Sequence, residues 1–321
     1  MFRLPTKNHD PRPNSIHRRT FGVAAGAAMM TAAGYSQSSG DDTPDGVAAD
    51  KFASTKTPRI YTSLKITMIN GDLPLLEKFK IAKAAGFDGM SLTAPHTFDS
   101  EEAISASKQA DLMIHDVVNA VHWNQRLSDP DVAIRRQSLD ALLESIRFAH
   151  AIGASSVLQV VGKVTDPVNE NHDQVWQRSM AEIRKAIPLA SKLGIRILCE
   201  NVGNGFCEDA QQWADYLDEI ADPSVGAFFD IGNHHSRGGA PHWIRTLGNR
   251  IVKIDVKGHD TTIRRNCDIL AGDVDWTAVR TELAKLDFSG WAVAEVGGGD
   301  ADRIQLVARQ MDEVLAIQRA G

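Results

Sequence analysis

Three cysteines in 321 residues (Cys199, Cys207 and Cys267) are too few for a disulfide framework, and their odd number leaves at least one thiol free or paired between chains. The chain has no GxSxG elbow, no Walker loop and no CxxC pair, which removes serine-hydrolase, P-loop and thiol-redox readings. Basic charge is also short. Residues 1–58 carry seven Lys/Arg against five Asp, which leaves 28 basic and 36 acidic residues, a balance of −8, for residues 59–321. So acidic a body repels nucleic acid and anionic membrane, and suits divalent cations better. What is present is ordinary for a soluble globular protein. With 43% hydrophobic and 24% charged residues, the chain is neither wholly disordered nor fibrous.

The amino terminus reads as an address. Arg18 and Arg19 stand directly before Phe21 and an apolar, small-residue run that extends to about Ala33. A paired arginine ahead of a short, weakly hydrophobic segment resembles a twin-arginine export signal, here assigned to residues 1–35. The run is shorter than the ~20 residues a membrane-crossing helix needs, so no permanent anchor is expected. Residues 36–58, rich in Ser, Gly, Asp and Thr, read as a flexible linker. The expected location is outside the cytoplasm, in the periplasm, where phosphorylated sugars are scarce.

Residues 59–321 number 263, close to the ~250 typical of an eight-fold β/α barrel. Short apolar runs alternate with longer amphipathic stretches along this length. The strand candidates are Ile60–Ile66, Gly89–Leu92, Met113–Asn119, Ser156–Val161, Ile195–Glu200, Val225–Ile231, Ile251–Lys257 and Trp291–Val296. Helical patterns follow, among them Leu73–Ala85, Pro130–Ile152, Asp173–Leu193 and Ala301–Gln318. Gly86, Gly153 and Gly194 each close a helix and open the next strand. Eight such units favour a closed parallel barrel in one domain. An open doubly wound sheet would carry a Gly-rich phosphate loop after its first strand, and Ile66–Gly71 has none.

In such barrels chemistry sits at the carboxy-terminal strand ends. Four successive strands carry an inward carboxylate there: Glu200 in IRILCEN, Asp230 in GAFFDIGN, Asp255 in IVKIDVKG and Glu295 in WAVAEVGG. Separations of 30, 25 and 40 residues each fit one strand–helix unit, so the four are neighbours around one part of the rim. Alternation points Lys253, Asp255 and Lys257 inward and Val252, Ile254 and Val256 toward the helices. Four acids in one apolar-walled mouth need a counter-charge, and a divalent cation is the simplest.

Here the chain resembles a known family. VVNAVHW at Asn119, LSDPDVAIRRQSL at Asp129, GASSVLQVVGKV, IRILCENVGNGF, GAFFDIGN, AGDVDW at 271–276 and GWAVAEV are similar to motifs of xylose isomerase-like barrel sugar isomerases and epimerases, in the same order. The resemblance implies one divalent ion, Mn²⁺ or Mg²⁺, held by a Glu, an Asp, a His and a Glu. Glu200, Asp230 and Glu295 match three of these, and Asp255 stands where the family usually has histidine. Asp255 is expected to ligate directly or through water, with His259 as a replacement ligand the remaining option. An all-oxygen set suits Mn²⁺ or Mg²⁺ better than zinc.

The resemblance further implies proton transfer next to a sugar carbonyl, with an enediolate stabilised by the metal and Glu200 and Glu295 as the acid/base pair on opposite faces. The same machinery can eliminate a group β to a carbonyl, so a 3-keto-glycoside lyase or hydrolase is an alternative, as is a non-catalytic sugar-binding barrel. Endonuclease IV-type barrels are also similar, but need more histidines and a basic surface. Candidate substrate contacts are Lys257 (or a salt bridge to one of the acids), His122, Trp123 (or loop packing), Gln159 (or a backbone bond) and Asn233. His234 and His235 suggest a second metal site only weakly, lacking a partner pair at metal spacing. Cys199 should face the helices as inert core. A carbohydrate is the expected small-molecule partner, and homo-oligomerisation is left open.

Overall fold

The computed structural model of the protein describes residues 59–318. The export signal assigned to residues 1–35 and the linker assigned to 36–58 lie outside the described residues. In chain order the elements are β1 (Ile60–Lys65), α1 (Leu75–Ala85), β2 (Gly89–Ala94), α2 (Ser100–Ala110), β3 (Met113–Asn119), α3 (Val132–Ala151), β4 (Ser156–Gln159), α4 (His172–Leu193), β5 (Arg196–Glu200), α5 (Ala210–Ile220), β6 (Val225–Asp230), α6 (Ala240–Leu247) and β7 (Ile251–Val256). A short hairpin follows, β8 (Gly258–Asp260) and β9 (Arg265–Cys267), then α7 (Trp276–Lys285), β10 (Gly290–Ala294) and α8 (Ala301–Leu315). Strand β1 pairs in parallel with both β2 and β10, which closes the barrel in the order β1-β10-β7-β6-β5-β4-β3-β2.

Helix starts are set by side chains that satisfy the free amide groups of the first turn. Asp99, Asp131, Asp209, Asp275 and Asp300 each accept such a bond, and Asn171 with Gln174 forms a capping box. These caps explain why α3 begins at Val132 instead of Pro130, and α4 at His172 instead of Asp173. Gly86 and Gly194 end α1 and α4 with φ of 100° and 68°, a backbone that side chains with a Cβ resist. The β8–β9 hairpin was not foreseen from the sequence. Its strands are three residues long and too polar to show an apolar run.

Two apolar layers hold the barrel. The larger lies between strands and helices and includes Phe79, Trp213, Tyr216, Phe229 and Trp243, all buried. The smaller fills the barrel itself: Val118, Leu158, Leu198, Phe228 and Val293 meet at its axis. Leu198, Phe228 and Val293 each precede a carboxylate (Glu200, Asp230, Glu295) by two residues, so alternation makes them the floor under the acids. Burying one such side chain stabilises the fold by roughly 1.5–3 kcal/mol.

Candidate metal and proton-transfer centre

Glu200 ends β5, Asp230 ends β6, Asp255 lies in β7, and Glu295 directly follows β10. One oxygen from each lies within 4.8 Å of the others. These four strands are adjacent in the closed order, with β6 and β7 between Glu200 and Glu295, so those two carboxylates enter from the two sides of the arc. His259 is not in this group: its Nδ1 bonds to Asn266 Oδ1 at 2.8 Å.

Two ammonium groups share the cluster. Lys257 Nζ lies 2.7 Å from Asp230 Oδ2 and 2.5 Å from Glu295 Oε2. Lys65, the last residue of β1, donates to Asp255 Oδ2 at 3.0 Å and Glu295 Oε1 at 2.5 Å. Lys65 is not among the residues expected at the site from the sequence, where the strand-end acids stand out. Its signal was present: it occupies the inward strand-end position on β1. Gly232 makes room for Lys257, since a Cβ there would come within 2.7 Å of the lysine Cγ.

These contacts split the proton affinities. Burial pushes Glu200 up to about 8, with the Glu295 charge adding to the effect and Lys65 opposing it. Burial also raises Asp255, and raises Asp230 to about 6 against the pull of Lys257. Burial would raise Glu295 too, but Lys65 and Lys257 outweigh it and hold this carboxyl well below its usual range. Both lysines are stabilised as cations despite burial: Lys65 by Asp255 and Glu295, Lys257 by Asp230 and Glu295. Burial therefore raises the proton affinity of Glu200 while Lys65 and Lys257 lower that of Glu295, so the environment sets the two glutamates apart.

A model of the xylose isomerase-like TIM barrel family matches residues 79–316. The chain belongs to that family. L-ribulose-5-phosphate 3-epimerase UlaE of Escherichia coli K12 is 23% identical over 263 residues, 77% of this chain and 91% of that protein. Among solved structures, a D-allulose 3-epimerase from Methylomonas sp. is 17% identical with a TM-score of 0.67, covering 80% of this chain and 97% of its own. A 3-keto-D-glucoside 4-epimerase from E. coli is 14% identical with a TM-score of 0.65, covering 81% of this chain and all of its own. At these identities the two structures carry the fold alone.

Within this family barrel, a divalent ion fits the residues present. The donors are all carboxylate oxygens, which suits a hard cation, and the buried Asp255 Oδ1 has no hydrogen-bond partner. With all four acids ionised, the two lysines leave a net charge of −2, the charge one divalent ion neutralises. No helix among the described residues is long and apolar enough to cross a membrane.

The other expected contacts fall into two groups. Asn233 is at the centre: its Nδ2 donates to Glu200 Oε1 at 3.2 Å and to the Asn201 carbonyl, while its backbone N–H donates to Asp230 Oδ1 at 2.7 Å. His122 is buried in the turn after β3, with Nδ1 accepting from Val160 N–H at 3.3 Å and Nε2 unpartnered. Burial, helped by the Lys65 charge, lowers its pKa to about 3, so it is a neutral imidazole. Trp123 lies edge-on to His122 and is half exposed. Gln159 is not brought to the acids: its carboxamide is fully buried, accepting from Asn119 Nδ2 and donating to the Val160 carbonyl. His234 bonds to Asn201 and stacks on Trp243, and His235 lies 3.6 Å from Asp273. Cys199 is fully buried in the outer core, and burial raises its thiol pKa.

Proposed function

We propose that the protein is a sugar epimerase that inverts a carbon next to a carbonyl by proton transfer, using Glu200 and Glu295 as the acid/base pair and a divalent cation, Mn²⁺ or Mg²⁺, held by Glu200, Asp230, Asp255 and Glu295. The observation that carries this reading is the convergence of four strand-end carboxylates within 4.8 Å. A cavity of about 320 Å³ opens beside them, lined by Lys257, Asn266, Cys267, Asp268, Glu295, Val296 and Gly297, and it is large enough for a sugar. When bound, the cation supplies positive charge to the carbonyl and adjacent hydroxyl oxygens as negative charge develops there.

The chain's own residues do the rest. One glutamate removes the α-proton and the other delivers a proton to the opposite face; the direction of reaction decides which acts first. Lys257 and Lys65 hold Glu295 in place and add donors beside the oxygens that gain charge. Asn233 fixes Glu200 through its amide. The floor of Leu198, Phe228 and Val293 keeps water from beneath the reacting carbon. The epimerase activities named for relatives support the reaction class.

The test is metal content of the purified chain, with Asp255→Ala and Glu200→Ala beside it, together with deuterium uptake from solvent into ketoses and 3-keto-glycosides. About one ion per chain, lost in either variant, and exchange at the α-carbon are expected. Exchange with loss of the β-substituent would instead indicate elimination; sugar binding with no exchange would indicate a binding barrel. We further propose export through the paired Arg18–Arg19 segment on a twin-arginine route, which favours a non-phosphorylated substrate. Cell fractionation of the full chain and of an Arg18→Lys/Arg19→Lys variant tests it, and an unchanged location would sink it.

A further inference from the structure

The two lysines of the acid cluster are not equivalent. The four acids stand on or directly after β5, β6, β7 and β10, which are neighbours in the closed order. Lys65 comes from outside that arc, at the end of β1, and reaches past β10 to Asp255 on β7. Lys257 forms part of the wall of the 320 Å³ cavity beside the acids, and Lys65 does not. The part Lys65 has in the chemistry therefore runs through the acids and not through contact with a sugar.

The oxygens that Lys65 takes are informative. It bonds Asp255 through Oδ2 at 3.0 Å and leaves Oδ1, which is buried and has no hydrogen-bond partner. It bonds Glu295 through Oε1 at 2.5 Å, while Lys257 holds Oε2 at 2.5 Å. Lys65 is buried, so little water screens its charge from the acids. A charge so placed has two opposing effects. It repels an incoming cation, and that repulsion grows in proportion to the ion's own charge. It also leaves the loaded centre neutral, since four carboxylates, two ammonium groups and one divalent ion carry no net charge. A neutral centre accommodates negative charge that develops on substrate oxygens, and a net-negative centre resists it.

We propose that Lys65 sets the charge of the centre: it weakens the hold on the cation, favours a divalent over a trivalent ion, and raises turnover by keeping the loaded centre neutral. The proposal rests on the metal-centred epimerase reading. It makes Lys65 a positioning and selectivity residue, distinct from Lys257, which faces the cavity.

The test is binding of Mn²⁺, and separately of Tb³⁺, to the full chain by titration calorimetry. It is paired with turnover of the ketose or 3-keto-glycoside that wild type exchanges fastest. Lys65→Met should bind Mn²⁺ about tenfold tighter than wild type and turn over about tenfold more slowly, with KM for the sugar within about threefold. Because the repulsion scales with ionic charge, a tenfold gain for Mn²⁺ becomes about thirtyfold for Tb³⁺. Lys65→Arg, which keeps the charge, should return Mn²⁺ affinity to within about threefold of wild type. Lys253→Met removes an ammonium group deeper in the barrel, bonded to His115 and not to the four acids, and should change Mn²⁺ affinity by less than about twofold. A purely structural lysine would give another pattern, in which cation affinity and turnover fall together as the acids lose their place. Where Lys65→Met does not fold, Lys65→Gln, which keeps an N–H donor without the charge, carries the same expectation. Weaker or unchanged Mn²⁺ binding in the folded variant, equal gains for Mn²⁺ and Tb³⁺, or an equal gain in Lys253→Met overturns the role of Lys65. The readouts separate the two readings. Mn²⁺ bound by wild type with no gain in Lys65→Met removes only this inference. The gain without α-proton exchange in wild type removes only the epimerase reading, and a wild type that binds no Mn²⁺ removes both.

Discussion

At the carboxy-terminal ends of the strands, four carboxylates meet Lys65 and Lys257 in a group with an excess of acid. Deeper in the same barrel a second polar group surrounds Lys253. Its ammonium donates to His115 Nδ1 at 2.9 Å and to the His115 carbonyl at 2.8 Å, and Asp116 supplies the opposing charge. Because a lysine can only donate, His115 carries its proton on Nε2 and donates to Ser63 Oγ at 2.6 Å. Burial, with the Lys253 charge, keeps that imidazole neutral, and Trp291 stacks on it at 4.2 Å. Both groups consist of inward residues on parallel strands, and the apolar layer of Val118, Leu158, Leu198, Phe228 and Val293 lies in the same interior. They differ in balance and in access. In the deep group Ser63, His115, Asp116 and Lys253 are at most 3% exposed, whereas the Glu295 side chain is 31% exposed and faces a cavity. Buried charge that is balanced in sign and shut off from solvent serves structure. Buried charge in excess, with an opening to solvent, is available to a cation and a substrate.

The sharpest way to break this comparison is to exchange charge for amide in the upper group. Glu295→Gln should lower turnover by roughly 10²–10⁴-fold with unchanged circular dichroism. Turnover near wild type would remove the two-glutamate scheme. In the lower group, Lys253→Met should do the reverse, leaving turnover of the folded enzyme within a few-fold and costing about 2 kcal/mol in urea unfolding. That is less than the full penalty for breaking a buried pair, because the burial that draws Lys253 down to about 8 is relieved at the same time. A loss of activity as deep as that of Glu295→Gln would show the two groups to be one.

The pH dependence of stability separates them further. A carboxyl whose pKa is raised by folding binds its proton longer in the native state than in the unfolded one, so stability falls as pH rises between the two values. Glu200, which faces Glu295, Asp230, Asp255, Lys65 and Lys257, does this from 4.5 to about 8, with Asp255 acting in the same direction. Asp230 has finished by about 6. Neutral buried His122 and His234 act with the opposite sign, but only up to their ordinary value of 6.5. The chelated chain should therefore lose thermal stability between pH 6.5 and 8, and added Mn²⁺, which binds the ionised acids, should reverse the loss. Melting curves with chelator and with Mn²⁺ check it; a flat chelated profile would contradict it. The smallest effect is expected at Trp123, half exposed and outside both groups. Trp123→Ala should change stability by less than about 0.5 kcal/mol. A several-fold rise in KM with kcat unchanged would give the indole a part in sugar binding, and no change would leave it as loop packing.

Alternating apolar runs and helix-closing glycines sufficed to read the eight strand–helix units, because each unit declares itself within about thirty residues. Five of the eight strand ends overshoot by one or two residues, since hydrogen bonding stops before the apolar pattern does: β4 ends at Gln159 while Val160 and Val161 remain buried; β3 and β5 end where the pattern does, and β2 runs two residues beyond Leu92, to Ala94. The four acids were legible because each closes a long apolar run, where an ionisable group has no local reason to be. What the sequence by itself determined, then, was the closed barrel and which side of each strand carries a carboxylate. Which charges meet was decided by tertiary structure alone. Lys65 and Glu295 are 230 residues apart and touch only because β1 closes against β10. A hydrogen-bond chain from Asn233 through Asn266 to His259 exists only because a short polar hairpin folds back beside the site. Neither leaves a periodic trace, since a contact between distant strands is fixed by barrel closure and not by the spacing of residues along the chain.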